Sequence, residues 1–461
     1  MRQAVVVIHG IGEQRPLSTI RSFLTAITDG LVRSKPDRLS ESFELRRFTL
    51  PETRTLPLTD VYELYWAHHM DRARWSAALR WIWHLLFRRT STVPRGLRPV
   101  HRALWILLLL AAAATAVSAL RAFGEEGAGL RSFATSAITY APVAVFLGQW
   151  LFGRMVLGYL GDAARYLTPE PANIEVRNKI RSEGARLLRR LHEARTYSRI
   201  VVVGHSLGSV IGYDVLRHLW DELRWPSFER EAHQPEATAF QAAIEAVEHP
   251  PEGTTAGAAV ERFQQAQHRL WREQRSLGTP WLVTDFVTLG SPLAHAELLL
   301  EDPLITLKER KAQRELPTCP PNSDGEEAHY GETREIGGTN PPRKWFFRIP
   351  NHGAVFSGTR WTNLYFPHRR LALGDIVGGP LTEVFGVGIR DVAVRPSCRG
   401  VWARTLACHT MYWRRSTPAV REDCATRKAK DRKTGTKDAI VALRSALALG
   451  AKRSKEKWPD P

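Results

Sequence analysis

The sequence predicts an α/β fold, a mostly parallel sheet with helices on both faces. Two observations carry this prediction. Several short runs are apolar throughout and rich in β-branched residues, such as RIVVVG at residues 199–204, and such runs are typical of strands buried on both faces. Segments with a helical spacing of apolar residues alternate with these runs. A length of 461 residues and an apolar content of 43% suffice for one large core with insertions.

The predicted elements follow the chain in order. Residues 4–10, AVVVIHG, form the first strand, and Ser18 caps a helix whose apolar face carries Ile20, Phe23, Leu24, Ile27 and Leu31. Residues 175–192 have the same helical spacing. Further strands are predicted at residues 61–67, 199–204, 281–289, 361–366 and 388–394.

Two apolar segments interrupt this alternation. Residues 103–120 and 132–153 contain no charged residue, and each approaches or meets the roughly 20 residues that cross a bilayer. They predict a two-helix transmembrane insertion. A buried helical hairpin within a large domain is the alternative, which Pro142 and the many alanines also fit.

Arginines flank the two apolar segments on their outer sides. By the positive-inside rule both outer flanks are cytoplasmic, which predicts a multi-pass membrane protein with two spans and its main domain facing the cytoplasm. Residues 74–89, RWSAALRWIWHLLFRR, resemble an interfacial helix, although an amphipathic helix packed on the domain also fits. The flanking arginines are Arg88, Arg89, Arg95, Arg98 and Arg102 before the first segment, and Arg154 and Arg165 after the second.

The chain is strongly basic. It has 65 Lys and Arg against 47 Asp and Glu, a formal charge of +18, which favours an anionic partner. Much of the excess lies in residues 72–102, 177–199 and from 414 onward rather than along one face interleaved with aromatic residues. The expected partner is therefore a lipid bilayer with anionic lipids, and no nucleic acid is expected.

The cysteines and the first residues constrain the setting. Cys319, Cys398, Cys408 and Cys424 form no C-x-x-C pair, so they indicate neither a zinc site nor a disulfide framework. The first residues, MRQAVVVIHG, lead directly into a strand and lack the pattern of a secretory signal peptide. Reduced cysteines in a cytosolic setting are expected.

The segment VVVGHSLGSV at residues 201–210 carries the strongest functional motif. Ser206 lies between a predicted buried strand and a predicted helix, in the pattern G-x-S-x-G of a nucleophile elbow. Gly204 and Gly208 are the elbow glycines, needed because strand and helix approach closely there. A serine helix cap with turning glycines would also explain Ser206 if the motif stood alone.

Several motifs together resemble the α/β-hydrolase fold of lipases and serine esterases: VVVIHGIGEQ, VVVGHSLGSVIGYDVL, FVTLGSPL, WTNLYFP, DIVGGPL and CHTMYW. The resemblance covers most of the chain between the first and last motif, without the apolar insertion and the basic tail. The first strand pair of that fold is not predicted, since the first motif comes almost at the start of the sequence. It implies an oxyanion hole formed by backbone N–H groups at Gly10, Ile11 and Leu207. Ser291 in TLGSPL is expected in a turn beside the site, not as a second nucleophile.

The resemblance also implies the order serine, acid, histidine along the chain. His409 in CHTMYW resembles the catalytic histidine, whereas His352 and His368 precede the best acid. Asp375 in LGDIVGGPL resembles the acid that precedes a glycine-rich turn. The rival acids, Asp285 and Asp391, would lie inside predicted strands.

The expected function is that of a membrane-associated serine hydrolase. It would cleave carboxylic esters, lipid or acyl esters in particular, through an acyl-enzyme on Ser206 with His409 and Asp375, and without cofactor or metal. The alternative is a catalytically silent, membrane-anchored scaffold or binding module on the same fold. The sequence does not determine the oligomeric state.

The predicted organisation divides the chain into six segments. The core is interrupted by a membrane insertion and by a helical cap, and it ends in a basic tail. The segments are the first part of the core (1–73), an interfacial helix with two spans (74–170), the elbow part (171–216), the cap (217–280), the part with acid and histidine (281–415) and the tail (416–461).

Overall fold

The structure is a computed structural model. It describes residues 2–10, 15–40, 42–53, 56–70, 171–229, 233–300, 304–321, 328–336, 343–368, 374–397, 405–415 and 436–447, with residues 166–167 and short stretches between 87 and 113. The chain divides into two compact units, one formed by Met1–His69 with Glu175–Pro461 and the other by Met70–Ile174. The sheet and the candidate sites belong to the first unit.

Within the described residues, nine strands form one sheet and two more form a separate antiparallel hairpin. The strands are β1 (Arg2–Ile8), β2 (Arg33–Pro36), β3 (Arg46–Leu50), β4 (Leu58–Leu64), β5 (Arg199–His205), β6 (Val283–Leu289), β7 (His329–Ile336), β8 (Arg343–Pro350), β9 (Arg360–Tyr365), β10 (Arg390–Arg395) and β11 (Lys437–Asp438). Their order in the sheet is β11-β10-β9-β6-β5-β1-β4-β3-β2. Neighbours are parallel from β11 to β4, and the edge formed by β3 and β2 is antiparallel. The large, mostly parallel sheet of an α/β fold is therefore present.

Helices cover both faces of this sheet, which explains the continuous apolar runs. Val5, Val7, Val201 and Val203 are buried in one cluster with residues of the first and last helices, and β6 is buried along its whole length. The α-helices that the structure describes are α1 (Ser18–Ile27), α2 (Pro171–Glu193), α3 (Leu207–Leu223), α4 (Pro235–Glu248), α5 (Ala256–Ser276), α6 (Ala296–Leu299), α7 (Leu307–Ala312), α8 (Thr382–Phe385) and α9 (Ala439–Ala446).

The antiparallel edge of the sheet contains two strands, β2 and β3, that the sequence analysis did not predict. In the fold that the sequence resembles, a strand pair precedes the first motif, but here the strand that carries this motif, β1, starts at residue 2. In the structure β2 and β3 extend the sheet beyond β4, although they follow β1 in the chain. The edge is thus built by strands from a later segment.

The helical segment 217–280 packs at the amino ends of the strands. Gln264 on α5 donates to the Trp361 carbonyl oxygen at 3.3 Å, and Trp271 donates to that of Trp281 at 3.0 Å. Trp361 is the second residue of β9, and Trp281 precedes β6. These contacts of the predicted cap lie at the amino ends of the strands, whereas Ser206 lies at the carboxyl end of β5.

The predicted two-helix transmembrane insertion is wrong. Among the described residues, no helix is both long enough and apolar enough to cross a membrane, and this finding also corrects the predicted multi-pass membrane localisation. Crossing needs about 20 continuous apolar residues. The described helices of sufficient length, α2 with 23 and α5 with 21 residues, carry charged side chains throughout. Of the predicted spans, residues 114–153 lie outside the described residues, as do residues 71–86 of the predicted interfacial helix.

Candidate active site

Ser206 occupies a strained turn between β5 and α3. Its backbone has φ 51° and ψ −128°, a conformation that non-glycine residues rarely adopt. A side chain on Gly208 would clash with the Ile8 carbonyl oxygen, and one on Gly204 would lie 2.5 Å from the Ser209 Cα. The backbone can therefore bend this sharply only because both positions lack a Cβ atom.

Two further serines, Ser209 and Ser291, stabilise the turn of Ser206. The Ser209 hydroxyl donates a hydrogen bond to the Ser206 carbonyl oxygen at 2.6 Å and lies 2.6 Å from the Ser291 hydroxyl. The Ser206 N–H donates to the Leu289 carbonyl oxygen at 2.9 Å. Ser291 is completely buried in this contact, so its hydroxyl supports the turn and does not face a substrate.

Asp375 and His409 meet although 34 residues separate them in the chain. Asp375 follows β9 and His409 lies in a 3-10 turn, Leu406–Thr410, after β10. The His409 Nδ1 is 2.8 Å from the Asp375 Oδ2. Gly290 at the end of β6 makes room for the pair, since a side chain there would lie 2.9 Å from Asp375 Oδ2 and 3.1 Å from His409 Cε1.

The surroundings of Asp375 keep its carboxylate ionised. Burial alone would raise its pKa, but the His409 imidazole, the Tyr412 hydroxyl and the Gly378 amide outweigh burial and lower the pKa to about 2. Tyr412 donates to Oδ2 at 2.8 Å, and the Val377 N–H donates to Oδ1 at 2.9 Å. An ionised carboxylate only accepts hydrogen bonds. The His409 Nδ1 must therefore carry the proton, which leaves Nε2 as the basic nitrogen of the neutral ring.

His205 connects the turn of Ser206 with the turn of His409. Its Nε2 lies 2.9 Å from the His409 carbonyl oxygen and donates to it, and the two rings are 5.1 Å apart between centroids. Burial, followed by the proximity of His409, lowers the pKa of His205 to about 3. Since Ser206 is the next residue, this neutral imidazole links the turn of the candidate nucleophile to the turn of the candidate base.

The end of β1 forms the opposite wall of the site. A side chain on Gly10 would lie 2.8 Å from the Ser206 Cβ, so the Gly10 backbone is directly beside the serine. The His9 Nδ1 donates to the Gly10 carbonyl oxygen at 2.8 Å, and its Nε2 accepts from the Trp66 N–H at 3.3 Å. Burial lowers the pKa of His9 to about 4, so the ring is neutral and its tautomer is fixed.

The predicted oxyanion hole is described in part. Leu207 is buried and is the first residue of α3, so its N–H has no acceptor within the helix and remains for a ligand oxygen. Gly10 lies beside Ser206 as described above. Ile11 lies outside the described residues, and its predicted role stays a prediction.

The rival acids have other partners. The Asp285 Oδ1 is 2.7 Å from Arg360 at the amino end of the sheet. Asp391 accepts from the Leu381 and Thr382 N–H groups at 2.8 and 2.9 Å, and so holds the start of α8. The rival histidines do not contact Asp375 in any hydrogen bond that the structure describes, and His352 is exposed.

The sequence analysis predicted roles for Ser206, Asp375 and His409 but missed the groups that contact them. Tyr412 follows His409 by three residues, and His205 stands inside the G-x-S-x-G motif. Both positions lay within motifs already singled out, yet only the folded chain shows what their polar atoms contact. Comparisons of the chain with protein families, with curated proteins and with solved structures found no match.

Proposed function

We propose that this protein is a serine hydrolase that cleaves carboxylic esters through an acyl-enzyme. The observation that carries the proposal is the buried Asp375–His409 pair, 2.8 Å between Oδ2 and Nδ1, tied through His205 to the strained turn of Ser206. A hydroxyl becomes a useful nucleophile when a neighbouring imidazole accepts its proton, and the imidazole needs a carboxylate to fix its tautomer.

In the proposed acylation step the Ser206 Oγ attacks the ester carbonyl carbon while the His409 Nε2 takes the hydroxyl proton. Asp375 stabilises the resulting imidazolium through its contact with Nδ1. The negative charge that develops on the carbonyl oxygen is met by the Leu207 N–H and by backbone N–H groups beside Gly10. Collapse of the tetrahedral intermediate breaks the ester C–O bond, and His409 returns the proton to the leaving alcohol.

Deacylation repeats these steps with water. His409 takes a proton from water, whose oxygen attacks the acyl carbon, and the second tetrahedral intermediate releases the acid and restores the Ser206 hydroxyl. Within this chemistry the acyl chain and the leaving group remain open. The expectation of lipid esters rested on the predicted membrane anchor, and that of anionic lipid partners on the basic charge of the chain. Both stay predictions.

A fluorophosphonate probe tests the proposal directly. The full-length chain should form a covalent adduct on Ser206, detected by intact mass and by peptide mapping. Ser206→Ala should form none and should lower the turnover of a p-nitrophenyl ester on the order of 10⁶-fold, as the loss of a triad serine does elsewhere. Ser291→Ala, at a buried serine of the same region, should retain labelling. A wild-type chain that remains unlabelled, or equal labelling of Ser206→Ala, would overturn the proposal.

A further inference from the structure

A second group of polar side chains lies beyond the carboxyl end of β4. His68 and His69 belong to a 3-10 turn, Ala67–His69, that follows this strand, and Glu183 faces them from α2. The His69 Nε2 is 2.8 Å from the Glu183 Oε2, and the two imidazole rings are 3.8 Å apart between centroids. The His69 N–H donates to the Trp66 carbonyl oxygen at 3.0 Å, which anchors the turn.

We propose that His68, His69 and Glu183 bind a divalent transition-metal ion of the zinc class. One nitrogen from each histidine and one carboxylate oxygen lie within 4.8 Å of one another. Zinc binds nitrogen and oxygen at about 2.0–2.2 Å, so ligand atoms around a tetrahedral ion lie roughly 3.4 Å apart. Because His68 is exposed and the other two are partly exposed, small side-chain rotations suffice to close the site.

The donor set selects the class of metal. Two imidazoles and one carboxylate suit zinc and its neighbours, whereas calcium and magnesium prefer all-oxygen sites. The His68 ring stacks on the Tyr65 ring, with centroids 5.6 Å apart. Groups outside the ligand set that fix the orientation of a ligating histidine strengthen metal binding, and Tyr65 is placed to do this for His68.

The surroundings leave room for the ion and for a water as fourth ligand. An open cleft of about 520 Å³ is lined by His69 and Glu183 and by two cationic side chains, Lys179 and Arg186, whereas His68 does not line it. The Lys179 ammonium is 2.6 Å from the Glu175 carboxylate, so its charge is offset locally. A hydrogen bond between His69 and Glu183 without a metal ion would explain that one contact. It would not explain why the exposed His68 ring lies against the His69 ring.

The ion would link the end of β4 to α2 beside the candidate active site. Tyr65 packs on His68 with ring centroids 5.6 Å apart and on His9 at 5.3 Å. His9 in turn holds the Gly10 carbonyl group. The expected role of the ion is therefore to stabilise this part of the fold. The metal-site proposal does not rest on the proposed ester hydrolysis.

Zinc binding to the metal-stripped full-length chain tests the proposal by calorimetry and by the visible spectrum of a Co²⁺ derivative. Wild type should bind one Zn²⁺ at this site and show the intense absorption of tetrahedral cobalt. Glu183→Gln, which retains a hydrogen-bond acceptor for His69, and His68→Ala should each weaken binding about 100-fold or more and remove that absorption.

Matched controls and thermal unfolding complete the test. Glu193→Gln on the same helix and His249→Ala, both exposed, should bind Zn²⁺ as wild type does, which separates this site from weak binding to other histidines. Zn²⁺ should raise the melting temperature of wild type and of the controls but not that of the two site variants. If Glu183→Gln fails to fold, the exposed His68→Ala decides. Equal Zn²⁺ binding by wild type and a folded site variant would overturn the proposal.

Discussion

The two ends of the sheet both bury aspartates, but the aspartates have different partners. At the carboxyl end, Asp375 pairs with His409 at 2.8 Å. At the amino end, Asp285 pairs with Arg360 at 2.7 Å and Asp60 with Arg2 at 2.6 Å. Burial by itself would raise the pKa of both Asp375 and Asp285, and in both the partners outweigh it and lower the pKa.

The difference shows that a buried carboxylate does not indicate catalysis by itself. A guanidinium keeps its proton at any ordinary pH, so the pairs at the amino end hold fixed charges in place. An imidazole gains and loses a proton near neutral pH. Of the two ends, the carboxyl end alone combines a buried carboxylate, a contacting imidazole and a hydroxyl on a strained turn, and this combination can move a proton during a reaction.

The sharpest test of this comparison exchanges each aspartate for asparagine. Asp375→Asn should lower kcat of ester hydrolysis about 10⁴-fold, because an amide favours the wrong tautomer of His409 and cannot stabilise its imidazolium. Its near-ultraviolet circular dichroism should stay that of wild type. Steady-state kinetics on one p-nitrophenyl ester should show less than about a threefold change for Asp285→Asn.

The amino-end variant should instead lose stability. Asp285→Asn leaves Arg199, which is buried, and Arg360 without their carboxylate, and removing one partner of a buried ion pair costs about 3 kcal/mol. Urea unfolding measures the free energy. A large loss of kcat in Asp285→Asn with little in Asp375→Asn would reverse the roles assigned to the two ends.

The next largest effect is expected on stability, at the nucleophile elbow formed by Gly204, Ser206 and Gly208. Gly208→Val should lower the free energy of unfolding by about 3 kcal/mol or more, because its side chain would meet the backbone of β1 at Ile8. Gly257→Val is the matched control, since a Cβ atom there has nothing within 4 Å. Valine is a better helix former than glycine, so the free energy of unfolding should change by less than about 1 kcal/mol. Urea unfolding of both variants provides the comparison, and equal midpoints would argue against the tight elbow.

The histidines of the carboxyl end should make stability depend on pH. The pKa of His9 is lowered from 6.5 to about 4 by burial, so below pH 6.5 the unfolded chain takes up a proton that the folded chain does not. This contribution is complete above pH 6.5 and is lost as the pH falls toward 4, at about 1.4 kcal/mol per pH unit. Urea unfolding from pH 7 to 4 should show a shallower slope for His9→Asn and an unchanged slope for the exposed His352→Asn. The same slope in His9→Asn as in wild type would exclude His9 as the source.

Much of the sheet was predictable because its strands are buried on both faces. Predicted strands at residues 199–204 and 361–366 lie within one residue of β5 and β9, since the first is a β-branched run and the second is rich in aromatic residues, and both residue types favour strands. By contrast, β2 has the sequence RSKP and is exposed along its length. This strand forms because it pairs with β3, and its own sequence has no apolar or β-branched pattern that predicts a strand.

Helix ends and the tail show what depends on distant contacts. Helix α1 begins at Ser18 without a side-chain cap, and the Leu17 N–H donates instead to Glu63 of β4 at 3.1 Å. Part of the predicted basic tail adds β11 and α9 to the core, where Leu443 is completely buried. The sequence does contain a helix-start residue here, because Asp438 caps α9 and accepts from the Ile440 N–H at 3.0 Å. The helix was nevertheless not predicted, because the many charged residues around it indicated a basic tail.

The smallest expected effect concerns Tyr412, which distinguishes the carboxyl end further. Its hydroxyl donates to Asp375 Oδ2 at 2.8 Å and accepts from the Phe366 N–H at 3.0 Å, while its ring stacks on Phe366. Tyr412→Phe keeps the stacking but removes one of the donors that hold the carboxylate. We expect kcat to fall about tenfold with KM unchanged, the worth of one hydrogen bond to a charged group.

The pH profile separates this effect from a merely structural one. With one donor fewer, the Asp375 carboxylate is held less firmly in position, which lowers kcat. The same loss leaves more negative charge facing His409 in the free enzyme, so the acid limb of kcat/KM should move to higher pH. Tyr213→Phe, at another buried tyrosine whose hydroxyl donates to the Pro317 carbonyl oxygen, is the control and should leave that limb in place. If both variants lose activity equally without a shift of the acid limb, Tyr412 contributes packing alone and the positioning of Asp375 rests on His409 and the Val377 N–H.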